Sequence, residues 1–180
     1  MSTDERDNNE YCIDILNSVI KAKQEWLTES IELATKEKEM SEKTLTAFDE
    51  LKNPIRKIGD DLFETIRHHN LAEGMFIYDN KMAKNKDDSA RNFISIFYYP
   101  KGKKKDEWGL SVPSIQFEAM PKEGKISIKS STSIPSPMEL IRELEIDFAD
   151  ISKTKVELKK YVLDFFKKMA VLSIKIPERV

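Results

Sequence analysis

The sequence predicts an α+β protein. A long N-terminal helical segment, continuous or folded into a helical hairpin, precedes a four-stranded antiparallel sheet covered by C-terminal helices. Three observations carry this. From Tyr11 to Ile66, apolar residues recur three and four apart. From Met75 to Ile134 they fall in short runs, partly alternating, broken by polar and proline- or glycine-containing segments. From Ser136 the helical spacing returns, behind a helix-start signal.

The chain has 180 residues, room for one domain and an extended helical arm. Its divisions read as a disordered tail over 1–9, a helical arm or hairpin over 10–52 and an α+β domain over 53–180. Charged residues make up 34%, above the roughly 25% typical of globular chains, which suits solvent-bathed helices. A net charge of -2 gives no overall pull toward nucleic acid or acidic lipid. The single cysteine, Cys12, cannot form an internal disulfide, so a reducing compartment is expected. No apolar run approaches the ~20 residues that span a bilayer. Nothing near Met1 resembles a signal peptide. The expectation is a soluble cytoplasmic chain with no membrane contact.

Residues 1–9 hold no apolar side chain after Met1, so little offsets their ordering entropy. A helix is expected from about Asn9 to about Lys38 with two adjacent apolar rows. One holds Cys12, Ile15, Val19, Ala22, Trp26 and Leu33. The other holds Ile13, Leu16, Ile20, Leu27, Ile31 and Ala34. Together they are wider than a two-stranded coiled-coil seam, and Lys23 interrupts the second. Thr35 to Lys43 has one apolar residue, Met40, and no Gly or Pro; it passes through solvent as helix or turns back as a hairpin. A second row holds Leu45, Phe48, Leu51, Ile55, Ile58, Leu62 and Ile66. Pro54 predicts a kink in it or a division at Asn53.

The expected strands are Met75–Tyr78, Phe93–Tyr99, Trp108–Ala119 with a phase slip at Pro113-Ser114, and Ile126–Ile134. Short connections favour an antiparallel meander. Ser136-Pro137-Met138-Glu139 reads as a capping box opening a helix over Met138, Ile141, Leu144 and Phe148. Thr154 and Glu157 read as a second box, opening a helix through Leu158, Val162, Phe165, Met169 and Leu172. Ser173–Pro177 is a candidate final strand.

From Asn53 onward, the order of one helix, four strands and two helices resembles the RWD domains and their ubiquitin-conjugating relatives. Tyr99-Pro100 and Pro113 echo their proline-containing loop. The resemblance implies a protein-interaction module of the kind often found beside a coiled coil. It does not imply conjugating activity, because no cysteine follows the strands.

Few residues point to chemistry. Between residues 81 and 105 stand eight basic side chains and two acidic ones. Lys101, Lys103, Lys104 and Lys105 could neutralise phosphates, with Trp108, Tyr98 or Tyr99 stacking on bases; a solvated hairpin tip explains the same lysines. Asp61, Glu64 and His68 share a helical face, with Asp60 and His69 beside them. No second histidine-bearing segment completes a metal site, and a polar helix end explains them. Glu123-Gly124-Lys125, with Asp106 and Glu118, reads as a hairpin turn rather than a nuclease pair. Cys12 sits in an apolar row without a nearby histidine, which does not suit a nucleophile. No cofactor motif is present.

The expected function is therefore non-catalytic: an assembly or adaptor subunit that oligomerises, or docks on a larger protein, through Val19, Trp26 and Leu33. The alternatives are a nucleic-acid-binding accessory protein using the basic 81–105 region, and a small immunity or inhibitor protein.

Overall fold

The computed structural model describes residues 3–80, 92–101, 112–131 and 138–175; residues 3–10, Cys12 and residues 173–175 are described by backbone alone. The N-terminal segment is one α-helix, α1 (Thr3–His68). The hairpin alternative is not taken. Thr35–Lys43 contains mostly strong helix formers and nothing that breaks a helix, and the Thr35 hydroxyl donates back to the Ile31 carbonyl at 2.8 Å. The helix also runs through Pro54, so of the two alternatives there, a kink or a division at Asn53, the division is not taken. It ends in a Schellman motif. Asn70 adopts φ 56°, its N–H donates to the Arg67 carbonyl at 2.9 Å, and the Leu71 N–H reaches the Ile66 carbonyl at 3.2 Å. Arg67 and His68 in the last turn complement the negative pole of the helix.

Residues Met1–Glu39 and Met40–Val180 form two compact units, and α1 contributes to both. In the second, five strands form an antiparallel sheet in sequence order: β1 (Ala72–Asn80), β2 (Phe93–Pro100), β3 (Ser114–Met120), β4 (Lys125–Ser131) and β5 (Glu139–Glu145). The meander is as expected; the count is five, not four. The added strand replaces the helix expected after Ser136. Met138, Ile141 and Leu144 are spaced for a helix, but β4 presents a row of backbone donors and acceptors that needs a partner. β5 supplies it, pairing Ile126 with Leu144 and Ser127 with Glu143. With five strands and one following helix, the order departs from the RWD pattern.

The last element, α2 (Ile151–Lys175), starts three residues before the expected capping box. Its cap is Asp150, whose Oδ1 accepts the Ser152 N–H at 3.2 Å. Thr154 instead accepts the Asp147 N–H at 3.0 Å and fixes the approach to the helix. Ser173–Lys175 belong to α2, so no strand starts at Ser173; residues 176 and 177 lie outside the described residues.

Strand alternation decides the core. Ile94, Ile96 and Tyr98 of β2, Ile115 and Phe117 of β3, and Ile126 and Ile128 of β4 are fully buried. They cluster with Phe48, Leu51 and Ile55 of α1 and with Leu158, Val162, Phe165, Phe166 and Met169 of α2. Tyr98 meets Phe166 edge-to-face at 5.9 Å. Gly59 lets α1 lie close to the sheet: a Cβ there would sit 3.1 Å from Ile96 Cδ1. Lys52 fastens α1 to β1. Its buried ammonium lies 2.8 Å from Asp79 Oδ1 and 3.4 Å from Asp49 Oδ1, and 3.3 Å from the Asn80 carbonyl oxygen.

Candidate interaction surfaces

The first surface is α1 within Met1–Glu39. Val19, Trp26 and Leu33 are 58%, 65% and 61% exposed. Seven residues bring a helix back to nearly the same azimuth, so these three form one row. Ile13, Ile20 and Leu27 form another, also exposed, about 100° around the helix because each member follows the first row by one residue. Between them runs Leu16, Lys23 and Ser30. One partner helix seated on the midline would press against the Lys23 ammonium. Two neighbours, each taking one row, leave Lys23 in the groove between them.

The second surface was missed in the sequence. β1 and β2 turn all their large aromatic side chains but Tyr98 to the face of the sheet opposite the core. Phe76 and Tyr78 of β1 are 54% and 45% exposed; Phe93, Phe97 and Tyr99 of β2 are half-buried beside them. Register creates the cluster, since Phe76 pairs with Phe97 and Tyr78 with Ser95. Ring centroids lie 6.1 Å apart for Phe76–Phe97, 6.5 Å for Phe76–Tyr78 and 5.8 Å for Tyr78–Phe93. Tyr99 lies against Gly74, where a Cβ would meet its ring at 3.6 Å. The signal was legible as period two in β2. Phe93, Phe97 and Tyr99 take odd positions and Ile94, Ile96 and Tyr98 even ones, but the run is apolar at nearly every position, which conceals the difference. Further along this face, Lys129 Nζ pairs with Glu118 Oε2 at 2.7 Å, and Gln116 donates to the same oxygen at 3.4 Å.

The expected nucleic-acid residues separate. Tyr98 is 0% exposed, with its hydroxyl donating to the Leu71 carbonyl at 2.8 Å; it cannot stack on a base. Lys101 follows β2 directly. Lys103, Lys104, Lys105 and Trp108 lie outside the described residues. The two basic segments do not start from one end of the sheet. Residues 81–91 join Asn80 to the start of β2, and residues 101–113 leave its other end. Eight residues at about 3.3 Å each put those ends some 25 Å apart.

Among the described residues, no group of three or more His, Cys, Asp and Glu side chains is placed to hold a metal ion. Arg67 bonds Glu64 at 2.7 Å on the α1 surface. Gly124 has φ 65° and forms the turn between β3 and β4, as Glu123-Gly124-Lys125 suggested. Asp147 organises the turn before α2. The N–H of Asp150 donates to its Oδ1 at 2.9 Å and that of Ala149 at 3.1 Å. The Asp150 N–H foremost, then the Lys153 ammonium at 3.2 Å from Oδ2, hold its carboxyl below the usual carboxylate range. A shallow cleft of about 650 Å³ beside α1 is lined by Glu42, Lys43, Thr46, Ala47, Glu50, Phe148, Ala149 and Ile151. It contains no nucleophile–base pair. No helix among the described residues is long and apolar enough to cross a membrane.

In comparisons with protein families, curated proteins and solved structures, nothing matches this chain.

Proposed function

We propose that the chain is an assembly or adaptor subunit that binds other helices through residues 11–33 of α1. The observation that carries this is the exposure of ten large apolar side chains along that stretch, Trp26 among them. Contiguous apolar surface on this scale marks an interaction site. An isolated helix gains little from propensity alone and takes its stability from burying an apolar face. Each fully buried Val, Leu or Ile side chain is worth about 1.5–3 kcal/mol. The two rows flanking Lys23 favour a bundle, in which α1 touches two neighbours, over a two-stranded zipper.

The test uses the full chain with Trp108→Phe, so that Trp26 is the only indole. Light scattering across a concentration series should show association, and Trp26 emission should move to the blue as assemblies form. Trp26→Glu should shift the assembly toward monomer. A chain that stays monomeric at about 100 μM, alone or with candidate partners, and keeps the emission of a solvated indole, overturns the reading; an interface weaker than this contributes less than about 5.5 kcal/mol.

A further inference from the structure

We propose that the free edge of β1 pairs with the same edge of a second copy of this chain, antiparallel about Ile77, so that two sheets join into one. The inference does not rest on the α1 reading.

Backbone direction is the first argument. The Tyr98 N–H donates to the Pro113 carbonyl and the Asn92 carbonyl accepts the Ala119 N–H, both at 2.9 Å. The even residues of β2 therefore bond toward β3, and its odd residues toward β1. There Phe97 pairs with Phe76 and Ser95 with Tyr78. The N–H and C=O groups of Met75, Ile77 and Asp79 are left pointing away from the sheet. β1 is an outermost strand, with β2 as its one neighbour among the described residues. A row of backbone donors and acceptors is matched by another extended backbone. That selects a polypeptide strand as the occupant.

Register is the second argument, and it selects this chain's own strand. β5, the opposite edge, carries Glu139, Arg142, Glu143 and Glu145 in seven residues, charges of the kind that deter pairing. β1 has no Lys, Arg or Pro. Its regular pairing runs from Gly74, where the bulge ends, to Asn80, and Ile77 is the middle of that stretch. A twofold axis there pairs Ile77 with the second copy's Ile77, and Met75 with the second copy's Asp79. Each pair exchanges two backbone bonds. On the outer face Phe76 meets the second copy's Tyr78 in a non-hydrogen-bonded pair, where side chains stand closest. An axis at Phe76 would instead set Asp79 against the second copy's Glu73, a like charge.

Charge and surface agree. Asp79 is the one charged residue between Gly74 and Asn80. It is matched within its own copy by Lys52 at 2.8 Å and Arg56 at 3.4 Å, so the two edges meet without repulsion. Phe76 and Tyr78 are about half exposed. Met75 and Ile77 are half-buried, although Ile96, across from Ile77, is fully buried. At 150–250 Å² for each aromatic side chain, two copies offer roughly 400 Å² of open ring surface. The edge backbone, Met75 and Ile77 bring the total toward the ~1,000 Å² of a specific interface. The interface is small, and the dimer has micromolar strength. It closes on itself, with the charged β5 edges outermost.

The experiment is amide hydrogen exchange by NMR on the full chain carrying Trp26→Glu, which removes association through α1. Samples at about 10 μM and about 500 μM are compared, since a dimer is populated by mass action. Exchange of the Ile77 N–H should be at least threefold slower at the higher concentration. The Phe76 and Tyr78 N–H groups, bonded to β2, should be slow at both. In a mixture of isotope-labelled and unlabelled chains, filtered ring contacts should run from Phe76 of one copy to Tyr78 of the other. Phe76→Lys with Tyr78→Lys places edge lysines across the axis and should abolish the concentration dependence. Met75→Pro removes an outward N–H, where proline is tolerated at an edge, and should do the same with the fold checked by circular dichroism. Ile77 exchange that is independent of concentration overturns the proposal, whatever α1 does. So does protection without Phe76–Tyr78 contacts between copies, or protection that survives the paired lysines. Protection that appears only when a synthetic peptide of alternating threonine and valine is added overturns self-pairing in favour of a foreign strand.

Discussion

Lys52 offers a sharp test of how α1 is fixed to the sheet. Its side chain is only 4% exposed and its ammonium lies 2.8 Å from Asp79 Oδ1. The same ammonium sits 5.5 Å from the centre of the Phe48 ring. Asp79 Oδ1 has no aligned hydrogen bond, so the contact with Lys52 is Coulombic rather than directional. Replacing Lys52 by Met keeps the length of the stem and removes the charge, leaving Asp79 beside the core without its closest cation. Breaking a buried pair from one side costs about 3–5 kcal/mol. Two features place Lys52→Met at the lower end: Asp79 is 17% exposed, and Arg56 stays 3.4 Å away. The expected loss is about 3 kcal/mol, or a fall in Tm of about 6–12 °C for a unit of this size. Urea unfolding followed by circular dichroism, fitted with a common m-value, reads it directly. The partner experiment is Lys52→Met with Asp79→Leu. With both charges gone, the ions left without these partners, Asp49 and Arg56, are exposed, and the double variant should recover most of the loss. A single variant that costs less than about 1 kcal/mol would place the pair among weak surface contacts. A double variant as unstable as the single one would show that the Lys52 stem and its packing on Phe48 matter, not the ion pair. Either result refutes the argument.

Other outcomes follow from the same structure. Gly124→Ala should destabilise the second unit by about 1–3 kcal/mol, because φ 65° strains an L residue and its Cβ would stand 3.0 Å from Met40 Sδ and 3.4 Å from Phe148; chemical denaturation checks this. Phe48→Ala should cost about 3–5 kcal/mol in the same assay, since Phe48 is completely buried among both helices and the sheet. Asp147 supplies a pH dependence. Its folded pKa lies below its unfolded value, so its contribution is fully present above the unfolded pKa, near 3.8, and is lost as pH falls through the folded one. Tm measured from pH 5 downward should therefore fall less steeply below about pH 4 in Asp147→Asn than in the unaltered chain.

What the sequence revealed, and what it concealed, separates along the difference between local and tertiary information. α1 was legible because apolar spacing and helix-forming residues agree over most of its length. Its continuity through Thr35–Lys43 was undecided because Met40 alone carries the apolar spacing there, while no Gly or Pro forces a turn. β5 was not legible. Met138, Ile141 and Leu144 satisfy helical spacing and Ser136-Pro137 satisfies a helix start, yet the open edge of β4 outweighs both, and β-structure depends on what lies alongside it. The candidate interaction surfaces divide in the same way. Val19, Trp26 and Leu33 can be found on one stretch of helix from spacing alone. The aromatic ladder needs two strands and their register. Phe76 and Phe97 are distant in sequence, and only the pairing of β1 with β2 makes them neighbours.

That dependence on register gives the ladder its own structural test. A strand shifted by one residue turns its outward side chains inward. In β1 such a slip would bring Phe76 and Tyr78 toward Ile94 and Ile96 and send Met75 and Ile77 out. The bulge between Ala72 and Gly74 sets the register from that point, and Gly74 is where the Tyr99 ring lies close to the backbone. Gly74→Val should displace the Tyr99 ring and loosen the Phe76–Phe97 pair while leaving Ile94 and Ile96 buried. Ring-to-ring nuclear Overhauser contacts between Phe76 and Phe97 would weaken, and amide exchange in β2 would stay slow. Loss of protection throughout β2 would instead mean that Gly74 supports the whole sheet, and the outer rings would then be inseparable from the core they back.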